Sequence, residues 1–568
     1  MKLAVRYLLR LPRHRAPSAH YNIGRIALTH SIFHHSAVRP SRGWHAMRRN
    51  ISTGLGATQA DQGRSRLSRR AALGHFAIVG LGVAGMSSVL AACEQNAPQV
   101  PDPGGSVPVP TISGPVSGGS RGQVFGGTVR DLASVGYVEE EYFIEGEAHR
   151  IVVTDTPADG RFASEKEAAS APYRTRLVVR RPTDPARFNG TLIVHWSNVS
   201  AGWEHIDDFE AVADGFAFLA VSAQRVGLEG FPDVPFGLKA WDPERYGSLH
   251  IAGDSYSFDI FSQSALAVGA GGARRGADPL HGLAVRHRVA MGASQSAQRL
   301  VSQLNAVQPI DKAFDGYLQV VDFGAYVGFN DADADDGKAG QTEYTPEGFA
   351  ANGVPMTRKR DDLKVKVLIV NSETEARTWH TVAQPDTDEH RAWFVSGSAH
   401  MGALGGDVSR RASERDRLPG VVMSDVTPSL IDFSGVVEAG MHAMHRWLES
   451  GQAPSSQPRF QLDANGTHLA RDADGIVLGG IRLPAVAVPA AVNAGEGPDM
   501  RGFPGLSGTS TPFPIDKIRA LYPSDDHYRA RVKDVVDGLV ADGVILQRTA
   551  DRYLAETETA WIGSTTPR

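Results

Sequence analysis

From about residue 177 to residue 395 the chain keeps returning to one alternation. Short apolar runs rich in β-branched and aromatic residues give way to stretches whose apolar positions recur every three or four residues. The first kind predicts strands at 177–180, 191–196, 216–222, 285–291, 317–321, 365–370 and 392–395. The second predicts helices, with Ala297, Leu300, Val301 and Leu304 on one face and Ile206, Phe209 and Val212 on another. Strands alternating with amphipathic helices predict an α/β fold, a mostly parallel central sheet covered by helices.

Two stretches interrupt this pattern. Residues 225–254 are rich in proline, glycine and aromatics, and residues 322–362 are acidic and loop-like. Both fall where α/β enzymes carry insertions over their sites, so they are expected to act as lids. Asp463-Ala464-Asn465-Gly466 and Asp472-Ala473-Asp474-Gly475 are tight-turn signals, predicting a β-rich appendage, and a helical tail follows over about 514–557. No fixed-period repeat divides the chain from 122 to 568, which reads as one domain with insertions. Residues 94–121 are dominated by Pro, Gly, Ser and Val without either periodicity, and predict a flexible linker.

Ahead of that linker stands a different pattern. The basic Ser68-Arg69-Arg70 precedes a weakly apolar run, 71–90, that ends in Leu90-Ala91-Ala92-Cys93. This is similar to a bacterial lipoprotein signal with a twin-arginine export motif at Arg69 and Arg70. Ala72 stands where phenylalanine is commonest, which leaves the general export pathway open. Gly74, His75, Gly80, Gly82 and Gly85 make the run a poor membrane span. Cleavage before Cys93 would free its sulfur for a diacylglycerol anchor. Residues 1–46 are expected to be a non-structural leader, with translation starting at Met47 and a signal peptide over 47–92. His30, His34 and His35 belong to that leader rather than to a metal site. The expectation is an exported cell-envelope lipoprotein, held by its anchor on the periplasmic face of a membrane. Glu94 supplies no inner-membrane retention signal, which favours the outer membrane.

Composition narrows the function classes. The 568 residues carry a formal net charge of -5, with 42% hydrophobic and 21% charged residues. That is an ordinary globular balance without the basic footprint of a nucleic-acid binder. The single cysteine excludes an intrachain disulfide framework and a multi-cysteine metal cluster. Asp331-Ala332-Asp333-Ala334-Asp335-Asp336-Gly337 is similar to a calcium loop, but its glycine comes one place late and Thr342 holds the position that needs glutamate. An acidic surface loop is the better reading, and neither metal nor cofactor is predicted.

The chemistry is concentrated in Val289-Ala290-Met291-Gly292-Ala293-Ser294-Gln295-Ser296-Ala297, a strand that passes through small residues straight into a helix. A nucleophile elbow requires this, because the strand and helix backbones nearly touch two residues either side of the nucleophile. Gly292 and Ser296 occupy those places, although glycine is usual at the second. Ser294 needs a base, and the base needs a carboxylate to hold its tautomer. After the 365–370 strand come Glu373 and Glu375, of which Glu375 has the spacing expected of the acid and Glu373 is the alternative. After the 392–395 strand, Ser396-Gly397-Ser398-Ala399 leads to His400, the expected base. An oxyanion would be held by the Gln295 amide and by an amide from the loop after the 191–196 strand, Asn198 or Val199.

These residues, together with Gly136 to Phe143, Asn189 to Ser200, Arg245 to Leu249, Tyr256 to Phe261 and Gly479 to Pro484, resemble the bacterial α/β-hydrolase domain proteins with a G-x-S-Q-S elbow. The resemblance spans nearly the whole chain after the linker. It implies the α/β-hydrolase fold and a Ser-acid-His hydrolase. The activity expected is hydrolysis of a small-molecule or polymeric carboxylic ester. Lactone, amide or peptide cleavage by the same triad is the alternative, and a catalytically silent lipid-anchored binding protein is the rival from another class.

Overall fold

The computed structural model describes residues 107–232, 234–331, 342–403, 406–419 and 426–559. The expected leader, the signal segment with Arg69 and Arg70, and Cys93 lie outside the described residues, as does most of the acidic 331–337 loop.

Ten strands form one sheet: β1 (Thr111–Ser113), β2 (Tyr137–Asp155), β3 (Ala163–Pro182), β4 (Thr191–Trp196), β5 (Ala217–Val221), β6 (Arg275–Gly276), β7 (His287–Ala293), β8 (Gly316–Val320), β9 (Lys366–Asn371) and β10 (His390–Phe394). Their spatial order is β10-β9-β8-β7-β4-β5-β3-β2-β1-β6. From β10 to β5 every neighbouring pair is parallel, whereas β5, β3, β2 and β1 pair antiparallel. Parallel strands are buried on both faces, and here each strand feeds two cores. Leu192, Val194, Ala290, Tyr317, Val367, Ile369 and Phe394 join one. Ile193, Val289, Met291, Leu318, Leu368, Val370 and Trp393 join the other.

Helices cover both faces. On one lies α1 (Ser257–Ala267). The elbow helix α2 (Gln295–Ser302) runs on through a wider turn at Gln303–Val307. Short α3 (Ala376–His380) and α4 (Gly406–Asp416) follow β9 and β10. The long α5 (Ser434–Ser450) lies on β8 and β9, where a Cβ on Gly440 would stand 3.4–3.7 Å from Leu368, Val370 and Leu318. After a small sheet of β11 (Ala491–Ala494) and β12 (Thr509–Pro512), the chain closes with α6 (Ile515–Leu521), α7 (Asp525–Ala541) and α8 (Gln547–Thr559).

Two expectations need correction. The linker does not reach residue 121: Ile112 is buried in β1, and Asp242 accepts hydrogen bonds from the Ser120 and Arg121 amides at 3.1 and 2.9 Å. A three-residue strand is too short to show a period of two. The helix expected around 206–212 is only a turn, Glu210–Ala213, because the carboxylates of Asp207 and Asp208 are held by His195 and Arg130 rather than left to a helix face. The 225–254 insertion holds three short helices, Arg225–Glu229, Leu238–Trp241 and Pro243–Tyr246. Among the described residues no helix is long and apolar enough to cross a membrane, and no group of three or more His, Cys, Asp or Glu side chains could hold a metal.

Candidate active site

The sheet order reverses between β4 and β7, and in open α/β sheets ligands sit beyond the carboxyl ends of the strands at such a reversal. Ser294 lies at the carboxyl end of β7. Its backbone has φ 61° and ψ -124°, a conformation that serine rarely adopts, and it turns the chain from β7 into α2 in a single residue. The Ser294 amide still donates to Val320 O at 3.0 Å, and its carbonyl accepts from Gln298 at 3.2 Å. The turn is so sharp that a Cβ on Gly292 would meet Ser296 Cβ at 2.9 Å. Glycine is required there by close approach, and Ser296 is small enough to pass.

A buried polar network fixes the first turns of α2. Arg299, wholly buried, donates to Asp254 at 3.1 Å and Ser257 Oγ at 3.3 Å. Asp254 also accepts from Gln224 at 3.0 Å, and Gln224 Oε1 in turn accepts from Trp196 Nε1 at 2.9 Å and from Gln295 Nε2 at 3.0 Å.

His400 follows β10, two strands beyond β8, and its Nδ1 lies 2.6 Å from Glu375 Oε1. The other carboxylate oxygen of Glu375 accepts from the Ser372 amide at 2.9 Å and the Ser372 hydroxyl at 2.6 Å. Both side chains are buried. The His400 amide donates to Thr374 Oγ1 at 3.1 Å, which holds the backbone of the loop to the segment carrying Glu375. Glu373 faces elsewhere: it accepts from the Gly397 amide at 3.1 Å and pairs with Arg471, while burial pushes its carboxyl up from the ordinary value against the pull of that arginine. Of the two glutamates, Glu375 alone meets His400. Among the described residues no hydrogen bond closes between the Ser294 hydroxyl and the His400 ring, a contact that often tightens only with substrate bound.

Two amides border the elbow. Gln295 opens α2, so its N–H has no partner within the helix. Asn198 and Val199 lie on the loop after β4. The Asn198 amide is spent on His205 O at 3.0 Å, and its side chain donates to Ala293 O at 3.0 Å, clamping this loop onto the end of β7. Asn198 is therefore a brace, and the Val199 N–H remains without an acceptor among the described residues.

Other residues around the site give no sequence signal of their own. Phe323, just past β8, stacks on the His400 ring with centroids 5.3 Å apart, and Tyr344 stacks on Phe323 at 5.1 Å. Tyr344 belongs to the second insertion, whose described part is tied to the 500–506 segment through Tyr344 N–H to Met500 O at 2.8 Å. Asp207 lies between His195 Nε2 at 3.0 Å and His205 Nε2 at 3.3 Å; burial alone would raise its carboxyl, but the two imidazoles outweigh that and hold it well below the usual range. It props the strand of His205 that pairs with Asn198. Only the contacts of these residues reveal them.

The arrangement is a serine on a strained turn, a histidine paired with a buried carboxylate, and two amides at the same carboxyl edge of the sheet. Residues 112–555 match the family model of the alpha/beta hydrolase domain. No curated protein matches the chain in sequence. Solved structures with local similarity include esterase Est22, 12% identical over 48% of this chain and 78% of that one, with a TM-score of 0.24. A prolyl endopeptidase is 13% identical over 49% of this chain and 43% of its own, also with a TM-score of 0.24. Brefeldin A esterase, a bacterial homologue of human hormone sensitive lipase, is 11% identical over 48% and 78%, with a TM-score of 0.21. With the family model covering well over half of its length, the chain belongs to the alpha/beta hydrolase domain family and is a hydrolase of the α/β-hydrolase fold.

Proposed function

We propose that this hydrolase cleaves carboxylic esters through an acyl-enzyme, with Ser294 as nucleophile, His400 as general base and Glu375 as the acid that orients it. The observation that carries this reading is the pairing of His400 with Glu375 beyond the same sheet edge where Ser294 occupies its strained turn. In the first step Ser294 Oγ attacks the ester carbonyl carbon and its proton passes to His400 Nε2, while Glu375 holds Nδ1–H and favours the imidazolium. The carbonyl oxygen becomes an oxyanion facing the Gln295 and Val199 amides. The C–O bond to the alcohol then breaks and the alcohol leaves with the proton from His400. Water, deprotonated by His400, attacks the acyl-enzyme and frees the acid and Ser294.

The test is labelling by a fluorophosphonate probe and hydrolysis of p-nitrophenyl acyl esters of increasing chain length. Wild type should label and turn over; Ser294→Ala should lose labelling and at least ~10⁴-fold in kcat while unfolding at the same temperature. Labelling or turnover that survives in Ser294→Ala would refute the nucleophile.

We also propose that the protein is exported and acylated on Cys93. Metabolic labelling with a fatty acid should mark the membrane fraction of wild type and not Cys93→Ala; equal labelling of both would refute the anchor.

A further inference from the structure

A second cleft opens behind the acid. It encloses about 100 Å³, and its wall includes Ala376, Trp379, Phe394, Arg459, Phe460 and Leu469. Ala376, the first residue of α3, is next to Glu375, so the cleft wall begins beside the partner of His400.

Three features set this cleft apart from a surface dent. Its wall is aromatic: Trp379 meets Phe394 edge-on at 5.0 Å, and Phe394 meets Phe460 at 5.4 Å. Two donors in that wall are idle. The indole Nε1 of Trp379, a residue only 4% exposed, and Nη1 of Arg459 are buried without an acceptor among the described residues. A buried donor left unpaired costs about 1–3 kcal/mol, so an acceptor brought to this pair would relieve that cost. Finally, the charge in the wall is positive. The Arg459 guanidinium lies over the Trp379 and Phe394 rings at 5.3 and 5.5 Å, and no Asp or Glu lines the cleft. Asp386 occupies the far nitrogen of Arg459, which leaves Nη1 for something else. Burial and the neighbouring Arg391 charge both work against the Arg459 charge, more than Asp386 restores, so an added anion would be stabilising here.

We propose that this cleft is a second ligand site that takes a flat, apolar organic carboxylate, with its ring or chain against Trp379, Phe394 and Phe460 and its carboxylate on Arg459 Nη1 and Trp379 Nε1. The site stands on its own geometry and does not depend on the triad. The bound molecule contacts the helix that begins at Glu375, and its chemical class is that of the acid half of an ester.

The test uses 3-phenylpropanoate as the probe and 3-phenylpropanol as its uncharged counterpart, titrated by calorimetry into the Ser294→Ala protein. The carboxylate should bind at least tenfold more tightly than the alcohol. Adding Arg459→Gln should cost at least tenfold in affinity, and Trp379→Phe at least threefold, with thermal unfolding showing that each variant is folded. Should either variant fail to fold, Ala383→Phe, which fills the cleft from its rim, should abolish binding in its place. No binding at millimolar probe, equal binding of acid and alcohol, or affinity indifferent to these substitutions would overturn the proposal. None of these outcomes touches the serine chemistry, which the fluorophosphonate probe reads separately.

Discussion

Ser294 sits in a conformation that costs of order 1–3 kcal/mol, and its neighbours have to hold it there. Gly292 is one of them. Gly292→Ala forces a Cβ into Ser296 at 2.9 Å, so urea unfolding should show a loss of about 1–3 kcal/mol, with activity falling as the elbow shifts. The two glutamates should separate by kinetics. On the proposed mechanism, Glu375→Gln should lower kcat by roughly 10²–10⁴. Glu373→Gln, which breaks the pair with Arg471, should act mainly on stability and cost less than tenfold in kcat. The sharp turn at Ser294 and the glutamate that meets His400 were legible because spacing from a strand end points to both. The choice between Asn198 and Val199 was not, since it turns on which amide is already donating to His205, a partner seven residues on. Phe323 left no mark in the sequence either. Phe323→Leu keeps the bulk but removes a ring face 5.3 Å from His400, and should lower kcat several-fold with little change in KM for short esters, measured with p-nitrophenyl acetate.

At the scale of elements, the parallel strands could be read to within two residues because both of their faces are buried, which makes each a short unbroken apolar run. Of the β2–β3 hairpin only 177–180 was read as strand, because charged and small residues fill most of its other positions. Glu139 pairs with Arg180 directly across the ladder, and Arg176 reaches Glu141, Glu204 and Ser222 Oγ where all are buried. Apolar periodicity cannot detect a strand whose burial is balanced by ion pairs. Removing one partner leaves the others buried and uncompensated, so Arg176→Met should cost about 3–5 kcal/mol in urea unfolding. A second element-scale prediction concerns β10. Burial, with the Lys359 and Arg459 charges, pushes His390 from its ordinary 6.5 down to about 3. The unfolded chain binds this proton near pH 6.5, the folded chain only near pH 3. Stability is therefore full above pH 6.5 and is lost as pH falls towards 3, by at most about 1.4 kcal/mol per unit. His390→Met should flatten the fall measured between pH 7 and pH 4; an unchanged slope would place the acid sensitivity elsewhere.

The whole molecule depends on both ends of the described chain. Val532, Val536, Leu539 and Ile545 of the terminal helical segment complete the core around α5, and Arg548 pairs with Glu438 at 3.0 Å. At the other end, β1 closes against β2 and β6, and Asp242 is satisfied by residues 120 and 121. A chain starting at residue 107 should unfold at the full-length temperature, whereas one starting at 122 should melt several degrees lower by calorimetry. This boundary was hidden because Pro, Gly and Ser dominate the segment on both sides of a strand three residues long.

The capture of β1 also sets a leash. With an acyl chain on Cys93, only residues 94–110 lie between the bilayer and the sheet, and at ~3.5 Å each they reach at most roughly 60 Å when fully drawn out. A tether running to residue 121 would have reached about 100 Å by the same measure. The domain would patrol a shell of that depth, and substrates would have to come to it: molecules arriving at the envelope surface, or lodged in the outer part of the bilayer itself.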